Sequence, residues 1–419
     1  MSALGARVKR FLTQLASPHF MAEGLPIRRM LLGPLLAGFA LAGCAGNNPP
    51  LPKPSEQAAV QPAQPLPAPV PQAAPVAGAK IGLLLPLSGQ NANLGRSLLQ
   101  AAEMGLFEVG DDNFTLLVED TAAPGGPDSA ARKLLADGAN ILLGPLFGPD
   151  VKRVAPIAQG AHVPVIAFTN DSSLAQNGVY VFGVTPQAQV QRVIGFAGSQ
   201  GIKRYAILVP NSPYGRLVLT SFQDQVTKSG GQVAQIVFYD PSSVDFTSVV
   251  QQVADIHKST GFDALMIPEG DGRMRQIAPL LPAFEVGPQQ VRLLGTSLWA
   301  DTALARESGL AGGWYATTSP DRWQDFARRY QANYGAVPDQ RAALVYDAVT
   351  LAVALGKGPN GADFSPAVLT NGNGFSGVAG LFRLLPDGNV ERGLAVVEMS
   401  PGGQTIRDPA PTTFVPLVN

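Results

Sequence analysis

Short apolar runs alternate with amphipathic segments along most of the chain. Residues 81–85 form an apolar run, Pro86 and a small polar loop follow, and apolar positions at helical spacing begin near Gly95. This pattern predicts a strand, a loop and a helix. In an open α/β sheet, ligands bind at the loop that leaves the carboxyl end of a strand and enters a helix, because free backbone N–H groups point there. We therefore expect this loop to contribute to a binding site.

The same alternation recurs through the middle of the chain. Short apolar strands separated by helices predict βαβ units and parallel sheets. Four such units precede a predicted crossing near Thr185 and four follow it, which predicts two similar lobes. The further strands are predicted near residues 114–118, 141–143, 163–168, 205–209, 233–239, 264–267 and 291–294, and the helices near 129–137, 151–159, 190–197, 217–228 and 246–257.

The C-terminal part repeats the pattern in a different form. Residues 321–334 and 340–355 have helical periodicity, and residues 377–399 predict a β-hairpin with a turn at 386–389. Asp387 and Gly388 in that turn superficially resemble a cation-binding loop. Gly tolerates the positive φ that such turns require, and no cluster of oxygen ligands follows, so the turn interpretation is favoured.

Composition excludes some classes of function. The chain has 419 residues, of which 46% are apolar and 15% charged, and its net charge is -1. It is long enough for two or three domains, and it has no run of basic residues interleaved with aromatics, so a nucleic-acid partner is not expected. The single cysteine, Cys44, rules out an intramolecular disulfide.

The N-terminal region predicts export and anchoring. Arg28 and Arg29 precede an apolar stretch over 30–40 that is too short to span a membrane, so residues 1–43 are interpreted as a signal peptide, with translation starting at Met21 or Met30. The string LAGC resembles the bacterial lipobox, which implies that Cys44 becomes the lipidated N-terminus. Residues 44–79 are rich in Pro and Ala, and they are interpreted as an extended tether between that anchor and the folded body.

Several strings in order carry a family resemblance over residues 80 to about 405. They resemble type I periplasmic binding proteins of the leucine-binding kind. Within that group, LLLPLSGQNANLG and ILLGPLFGPDV are most similar to the penicillin-binding protein activator lipoproteins. The resemblance implies an α/β fold of two lobes, each a mainly parallel sheet flanked by helices, joined by three crossover segments. It implies lobe 1 at 80–185 plus 318–370, lobe 2 at 186–317 plus 371–405, and a tail at 406–419. The strings are IGLLLPLSGQNANLG, NILLGPLFGPDV, VPVIAFT, VPNSPYG and GLFRLLPDGNVERGLAVV.

Catalytic chemistry finds no support in the sequence. The mature chain has only His162 and His257, and neither belongs to a metal-binding or nucleophile-activating motif. The loop after the first strand also lacks the glycine pattern of dinucleotide-binding proteins. We therefore expect no enzyme activity, no cofactor and no metal.

Binding chemistry is better supported, because polar and aromatic residues follow the predicted strands in both lobes. Hydroxyls, amides and aromatic rings that converge there would line a cleft for a small polar ligand. The alternative is that these residues only cap helices and form turns. The candidates are Ser88, Gln90, Asn91, Phe147, Gly148, Thr169, Asn170, Asp171, Tyr214, Glu269, Asp271, Ser297 and Trp299.

The resemblance also implies specific ligand contacts, and this chain departs from them. Amino-acid receptors similar to it hold the ligand carboxylate with a serine and a threonine, which fall near Pro149 and Asp171 here, and the ammonium with an acidic residue, which falls near Trp299. Pro149 has no hydroxyl or N–H group, and Asp171 would repel a carboxylate. Tyr214 keeps the expected aromatic position. A standard amino acid is therefore not favoured, although Glu269 or Asp271 would suit an ammonium group.

These observations predict a periplasmic protein attached through Cys44, with Ala45 compatible with the outer membrane. The favoured function is activation of a penicillin-binding protein, a peptidoglycan synthase, through protein contacts. The alternative is a substrate-binding lipoprotein that delivers an amino acid or another small polar solute to the permease of an ABC importer.

Overall fold

The computed structural model describes residues 79–301, 303–358, 361–400 and 403–414. The predicted signal peptide, the lipidation site at Cys44 and the tether up to residue 78 lie outside the described residues, as do residues 415–419.

Strands and helices alternate over the first three quarters of the described part, as the apolar pattern predicted. The strands are β1 Lys80–Leu85, β2 Thr115–Asp120, β3 Ile141–Leu143, β4 Val165–Ala167, β5 Val179–Val181, β6 Arg204–Pro210, β7 Gln232–Tyr239, β8 Ala264–Met266, β9 Arg292–Gly295, β10 Trp314–Thr317, β11 Phe375–Gly377, β12 Gly380–Leu384, β13 Val390–Arg392, β14 Ala395–Ser400 and β15 Gly403–Asp408. The helices are α1 Ala92–Val109, α2 Gly126–Ala136, α3 Gly148–Gly160, α4 Pro186–Ser199, α5 Pro213–Lys228, α6 Thr247–Thr260, α7 Asp271–Ile277, α8 Leu280–Ala283, α9 Pro320–Tyr334, α10 Ala342–Gly356 and α11 Pro366–Leu369.

The first lobe is built on a five-stranded parallel sheet of order β2-β1-β3-β4-β5. Its inner strand β1 is apolar almost throughout because both of its faces are covered. Ile81, Leu83 and Leu85 pack into one hydrophobic cluster, and Leu84 packs into another on the opposite face. This explains why the strand appears in the sequence as a continuous apolar run rather than as an alternating one.

One face of the first sheet is covered by helices from far along the chain. Phe326 of α9 and Val349 of α10 belong to the same cluster as Ile81 and Leu83. Helix α10 lies close to α1, where the Cβ of any residue replacing Gly105 would approach the backbone oxygen of Tyr346 to 3.3 Å. The first lobe is therefore completed only when the C-terminal helices return to it.

The second lobe is built on a seven-stranded sheet of order β15-β14-β10-β9-β8-β6-β7. Strands β6 to β10 are parallel, whereas β14 and β15 run antiparallel at one edge. The sequence pattern missed β5 and β10, which have three and four residues. It also missed β15, which is only partly buried along its length and crosses the predicted start of the tail at residue 406. The tail boundary is therefore corrected to beyond Asp408.

The predicted hairpin is confirmed for β12 and β13, whereas its last residues form β14 in the second sheet. The structure corrects the assignment of β12 and β13 to the second lobe. Strand β12 pairs antiparallel with both β11 and β13, and this small sheet packs on the first lobe's core through Phe382, Leu384 and Val390. The rings of Phe182 and Phe382 meet edge to face with 4.9 Å between their centroids. Residues 371–392 thus follow the first lobe, because their apolar side chains are buried there. Only β14 and β15 join the second sheet.

The chain passes between the lobes three times, after β5, after β10 and after β13. Two α/β lobes with mainly parallel sheets and three crossings confirm the predicted fold class. In this fold the carboxyl ends of the parallel strands face the cleft between the lobes, which places the candidate site there.

Candidate functional site

A cavity of about 370 Å³ lies between the lobes. Both lobes and the crossings contribute to its walls, so it exists only in the assembled fold. Six of the predicted residues line it, namely Phe147, Gly148, Thr169, Asn170, Tyr214 and Ser297. The other lining residues are Leu146, Phe168, Gly183, Val184, Pro186, Gln189, Leu298, Thr317, Thr318, Gln340, Arg341, Ala343, Leu344 and Ala379.

The first-lobe wall forms where β3 and β4 end. Phe147 is extended (φ -99°, ψ 141°) and precedes Gly148, the first residue of α3. Thr169 is buried, and its hydroxyl oxygen accepts a hydrogen bond from the N–H of Asp171 at 3.2 Å. Asp171 itself does not line the cavity, and its carboxylate accepts hydrogen bonds from the backbone and hydroxyl of Ser173. The cap interpretation therefore holds for Asp171.

The second-lobe wall includes Tyr214 at the start of α5. Ser212 caps this helix by accepting a hydrogen bond from the N–H of Gly215 at 3.1 Å. The hydroxyl of Tyr214 lies 3.3 Å from that of Thr296, and burial raises the pKa of Tyr214 to about 12. The phenol is therefore neutral at physiological pH and faces the cavity as a hydrogen-bonding group on an aromatic ring.

Gln189 is a cavity residue that the sequence did not reveal. Its side chain is almost completely buried, and it bridges two segments: Nε2 donates to the carbonyl of Val184 at 3.1 Å, and Oε1 accepts from the N–H of Ser297 at 2.7 Å. Val184 belongs to the first crossing, and Ser297 begins a short 3-10 helix that leads to residue 300. This amide thus holds the second-lobe wall to the crossing. A lone Gln in an amphipathic helix carries no signal that would predict this role.

Arg341 was also missed, and it is the only charged side chain among the described residues that line the cavity. Its Nε and Nη2 donate to the two carboxylate oxygens of Asp339 at 2.7 and 2.9 Å. The hydrogen bond that Arg341 donates to Asp339, together with the charge of that carboxylate, raises the pKa of Arg341 although burial opposes the shift. Asp339 in turn is fixed by its N–H, which donates to the hydroxyl of Ser97. The cavity lining therefore contains one guanidinium, which Asp339 holds through two of its three nitrogens.

The loop after β1 does not reach the cavity, although its position had suggested binding. Ser88 precedes the 3-10 helix Gly89–Asn91, which also contains Gln90, and none of these residues lines the cavity. Instead, Asp120 at the end of β2 accepts hydrogen bonds from the N–H of Leu87 at 2.8 Å and from Ser88. These hydrogen bonds lower the pKa of Asp120 although burial opposes the shift. The loop is thus held by its neighbouring strand.

Glu269 and Trp299 are structural residues rather than cleft residues, which corrects two further predictions. Glu269 is buried and accepts hydrogen bonds from the hydroxyl of Tyr239, from its neighbour's N–H and from Arg273 at 2.9 Å. Both of its carboxylate oxygens already accept hydrogen bonds, so neither is left for the ammonium group of a ligand. Trp299 is fully buried in the second lobe's core, with its ring against Tyr315. Neither side chain lines the cavity.

Asp271 lies outside the cavity but within the same cleft. It begins α7 with a positive φ of 47° and lines a second, wider groove described below. Within the described ranges, no group of three or more His, Cys, Asp or Glu side chains is arranged to hold a metal ion. In those same ranges, no helix combines the length and the apolar character that crossing a membrane requires.

Comparison with known proteins agrees with this geometry. The fold and the interlobe cavity define a two-lobed binding protein. A family model described as Periplasmic binding protein matches residues 78–404, which is most of the chain. The chain therefore belongs to the periplasmic binding protein family, in its type I, leucine-binding-like form.

Individual relatives are distant. Leu/Ile/Val-binding protein homolog 6 of Brucella abortus is 26% identical over 192 residues, which cover 42% of this chain and 48% of that protein. Penicillin-binding protein activator LpoA of Pasteurella multocida is 24% identical over 185 residues, covering 42% of this chain and 31% of that protein. The chain thus spans half or less of the length of the curated relatives it matches.

Solved structures show the same fold. A branched-chain amino acid ABC transporter periplasmic ligand-binding protein from Burkholderia xenovorans superposes with a TM-score of 0.65, at 19% identity, over 80% of this chain and 94% of that one. A solute-binding protein of an ABC transporter from R. palustris, in complex with benzoate, superposes with a TM-score of 0.58, at 19% identity, over 81% and 98%. At these identities the likeness concerns the fold alone.

Proposed function

We propose that this chain is a non-enzymatic periplasmic solute-binding protein whose interlobe cavity binds a carboxylate that has no ammonium group beside it. The observation that carries this proposal is the charge of the cavity lining. Arg341 is its single charged side chain, and no carboxylate lines it among the described residues. A guanidinium donates its N–H groups to carboxylates. Because Nε and Nη2 of Arg341 already donate to Asp339, a ligand carboxylate would be bound at Nη1.

The same lining disfavours a free amino acid. An α-ammonium group that enters a cavity without an acidic partner loses hydration and gains no ion pair, which costs several kcal/mol. Glu269, the acid that the sequence suggested for this task, is already occupied by Tyr239 and Arg273. The proposed preference for a carboxylate without an ammonium group therefore follows from the lining, which contains no Asp or Glu side chain among the described residues.

The other lining residues indicate the chemistry of the part of the ligand beyond its carboxylate. Phe147, Phe168 and Leu344 are apolar, and Tyr214 and Thr169 add hydroxyl groups. A volume of about 370 Å³ is at the small end of ligand sites. Small aromatic or branched acids suit this combination, and benzoate is the ligand named for one protein of the same fold. Delivery to the permease of an ABC importer is the corresponding partner.

Calorimetric titration tests this proposal. The ligands are benzoate, 4-methylpentanoate and leucine, the last of which adds an α-ammonium group to the same branched acid. The proteins are the wild type, Arg341→Met and, as a control, Arg328→Met, which removes an exposed ion pair of α9 with Asp325. We expect saturable binding of at least one acid, weaker binding of leucine, and a loss of about thirtyfold in Arg341→Met, equivalent to about 2 kcal/mol. Equal binding by Arg341→Met and wild type would reject the role of Arg341.

A second candidate function is activation of a peptidoglycan synthase through protein contacts. It is favoured by the match to the penicillin-binding protein activator of Pasteurella multocida. Under this function the lipid anchor at Cys44 and the tether would present the lobes to a penicillin-binding protein at a distance from the outer membrane. Co-purification with such a synthase and a rise in its glycan polymerisation or cross-linking rate are expected. No association and no change in rate would exclude it.

The anchor is a separate proposal with its own test. Mass spectrometry of the protein extracted from envelopes should find an acylated Cys44 at the N-terminus, and Cys44→Ser should release the protein into the soluble fraction. Separation of inner and outer membranes then determines the location. An unmodified thiol in the wild-type protein would refute the proposed anchor.

A further inference from the structure

The interlobe cleft continues past the ligand cavity into a second groove of about 1190 Å³. The two spaces share five lining residues, so a ligand can pass from one into the other. Both lobes contribute to the groove, with Leu298 and Asp301 from the second lobe and Trp323 and Val337 from the first. The shared residues are Ser297, Leu298, Thr317, Thr318 and Gln340.

Most of the charged side chains that line the groove have the opposite sign to Arg341 in the cavity lining. Three carboxylates line it, those of Asp271, Asp301 and Asp321, against the single cation Arg306. Among the ion pairs of the described residues, none involves any of these four side chains. The cleft therefore carries a guanidinium in the cavity and an unbalanced set of carboxylates in the adjoining groove.

The groove also exposes apolar surface on both walls. Leu298 is 42% exposed and Val337 is 71% exposed, although both are large hydrophobic side chains. They lie on different lobes and line the same space, together with Trp323 and Pro338. Exposed apolar groups beside carboxylates are typical of a surface that binds an extended, amphipathic ligand.

We propose that the cleft binds short cationic peptides, with the terminal carboxylate at Arg341 and the basic end in the groove. This proposal rests on the proposed function and deepens it. The C-terminal residue of a peptide has a carboxylate beside an amide, not an ammonium, so it fits a cavity that has no acid in its lining. The ammonium of the peptide lies farther along the ligand, where Asp271, Asp301 and Asp321 line the groove.

The length of an extended peptide allows its carboxylate to lie at Arg341 while its ammonium group lies in the groove. Each residue adds about 3.3 Å along the chain, so two or three residues carry the N-terminus well beyond the cavity. Leu298 lies in both linings and would contact the middle of the ligand. A peptide that touches both lobes along the whole cleft would also stabilise one relative position of the lobes.

Calorimetric titration with four ligands tests the inference: benzoate, Lys-Ala-Phe, Glu-Ala-Phe and Lys-Ala-Phe amide. The variants are Asp271→Asn/Asp321→Asn and the control Asp224→Asn, an exposed carboxylate of α5 paired with Lys228. Asn accepts the positive φ of residue 271, so the backbone is preserved. We expect Lys-Ala-Phe to bind at least tenfold more tightly than Glu-Ala-Phe and than its own amide. The double variant should weaken Lys-Ala-Phe about fivefold and leave benzoate unchanged.

The outcomes separate the two proposals. Binding of benzoate without binding of Lys-Ala-Phe overturns the peptide inference and leaves the carboxylate site standing. Equal binding of the amide and the free acid overturns it as well, because Arg341 would not be engaged. Equal binding of the Lys and Glu peptides removes the role of the groove carboxylates. Failure of every ligand to bind rejects both the inference and the proposed function.

Discussion

Asp347 offers a direct test of how burial shapes the energetics of this fold. It lies in α10 with 1% of its surface exposed, and its carboxylate accepts hydrogen bonds from the N–H groups of Val378 and Ala379 at 2.6 and 2.8 Å. The contact is close, because a Cβ at Gly377 would lie 2.3 Å from the carboxylate carbon. Burial raises the pKa of Asp347 from 3.8 to about 6, opposed by these two bonds and by the charge of Arg392.

This shift predicts a specific dependence of stability on pH. The native state binds the proton of Asp347 more tightly than the unfolded state does, so the stabilisation is complete below about pH 4 and is lost as pH rises to about 6. A shift of about two units corresponds to about 3 kcal/mol. Asp347→Asn cannot titrate, so it removes this dependence whatever its effect on stability at any single pH.

The assay is guanidinium-induced unfolding at a series of pH values between 4 and 7.5, for wild type and Asp347→Asn. Other titrating groups contribute equally to both proteins, so the difference between their free energies of unfolding isolates Asp347. Relative to the variant, the wild type should lose about 3 kcal/mol of stability across this range. Asp224→Asn, an exposed substitution, should show no such change. A difference that stays constant with pH would refute the reasoning.

Three further substitutions test other parts of the structure. Gly95→Ala places a Cβ 1.9 Å from a backbone oxygen of the preceding loop and should destabilise by about 3 kcal/mol or more in thermal unfolding, whereas Gly160→Ala, with open space around it, should be nearly neutral. Glu269→Gln should cost about 1–3 kcal/mol of stability and leave ligand affinity unchanged, and a selective loss of binding would restore its predicted cleft role. Arg392→Met removes the cation that lowers the pKa of Asp347, so the pH midpoint of the stability change should move upward; an unmoved midpoint would contradict this coupling.

Arg392 also shows how the crossings are held together. It donates a hydrogen bond to the carbonyl of Phe182 and lies 4.3 Å from that ring and 5.4 Å from the ring of Phe382. Its Nε and Nη1 are buried without a hydrogen-bond partner among the described residues, and burial lowers its pKa to about 10. Phe182 precedes the first crossing and Arg392 precedes the third. The packing of a charged side chain between two rings therefore links two of the three connections between the lobes.

Local sequence pattern was sufficient for most of the secondary structure. Strands such as β3 Ile141–Leu143 are buried on both faces, so they appear as apolar runs, and the helices between them show the periodicity of one buried side. The pattern failed where an element was short or only partly buried, as in β5 and β15. The family resemblance placed residues 371–392 in the second lobe, and the apolar pattern could not correct this, because apolar character indicates burial but not against which core.

The candidate site was only partly predictable, because a local sequence pattern does not show which distant residues a side chain contacts. Positions after strands indicated Phe147, Thr169 and Tyr214, and all three line the interlobe cavity, since the fold class places the carboxyl ends of parallel strands at the cleft. Whether a polar residue there binds a ligand depends on its partners, and those are distant in sequence. Glu269 is occupied by Tyr239, 30 positions away, and this pairing removes it from the cleft.

By itself, the sequence of apolar and polar positions determined the elements, the two-lobed class and the general location of the cleft. Only the tertiary structure decided which charges line the interlobe cavity. Gln189 and Arg341 reach the same cavity although about 150 positions separate them, because the crossings bring both lobes together around it. Electrostatic specificity depends on distances between such residues, and those distances are set by packing of the whole chain.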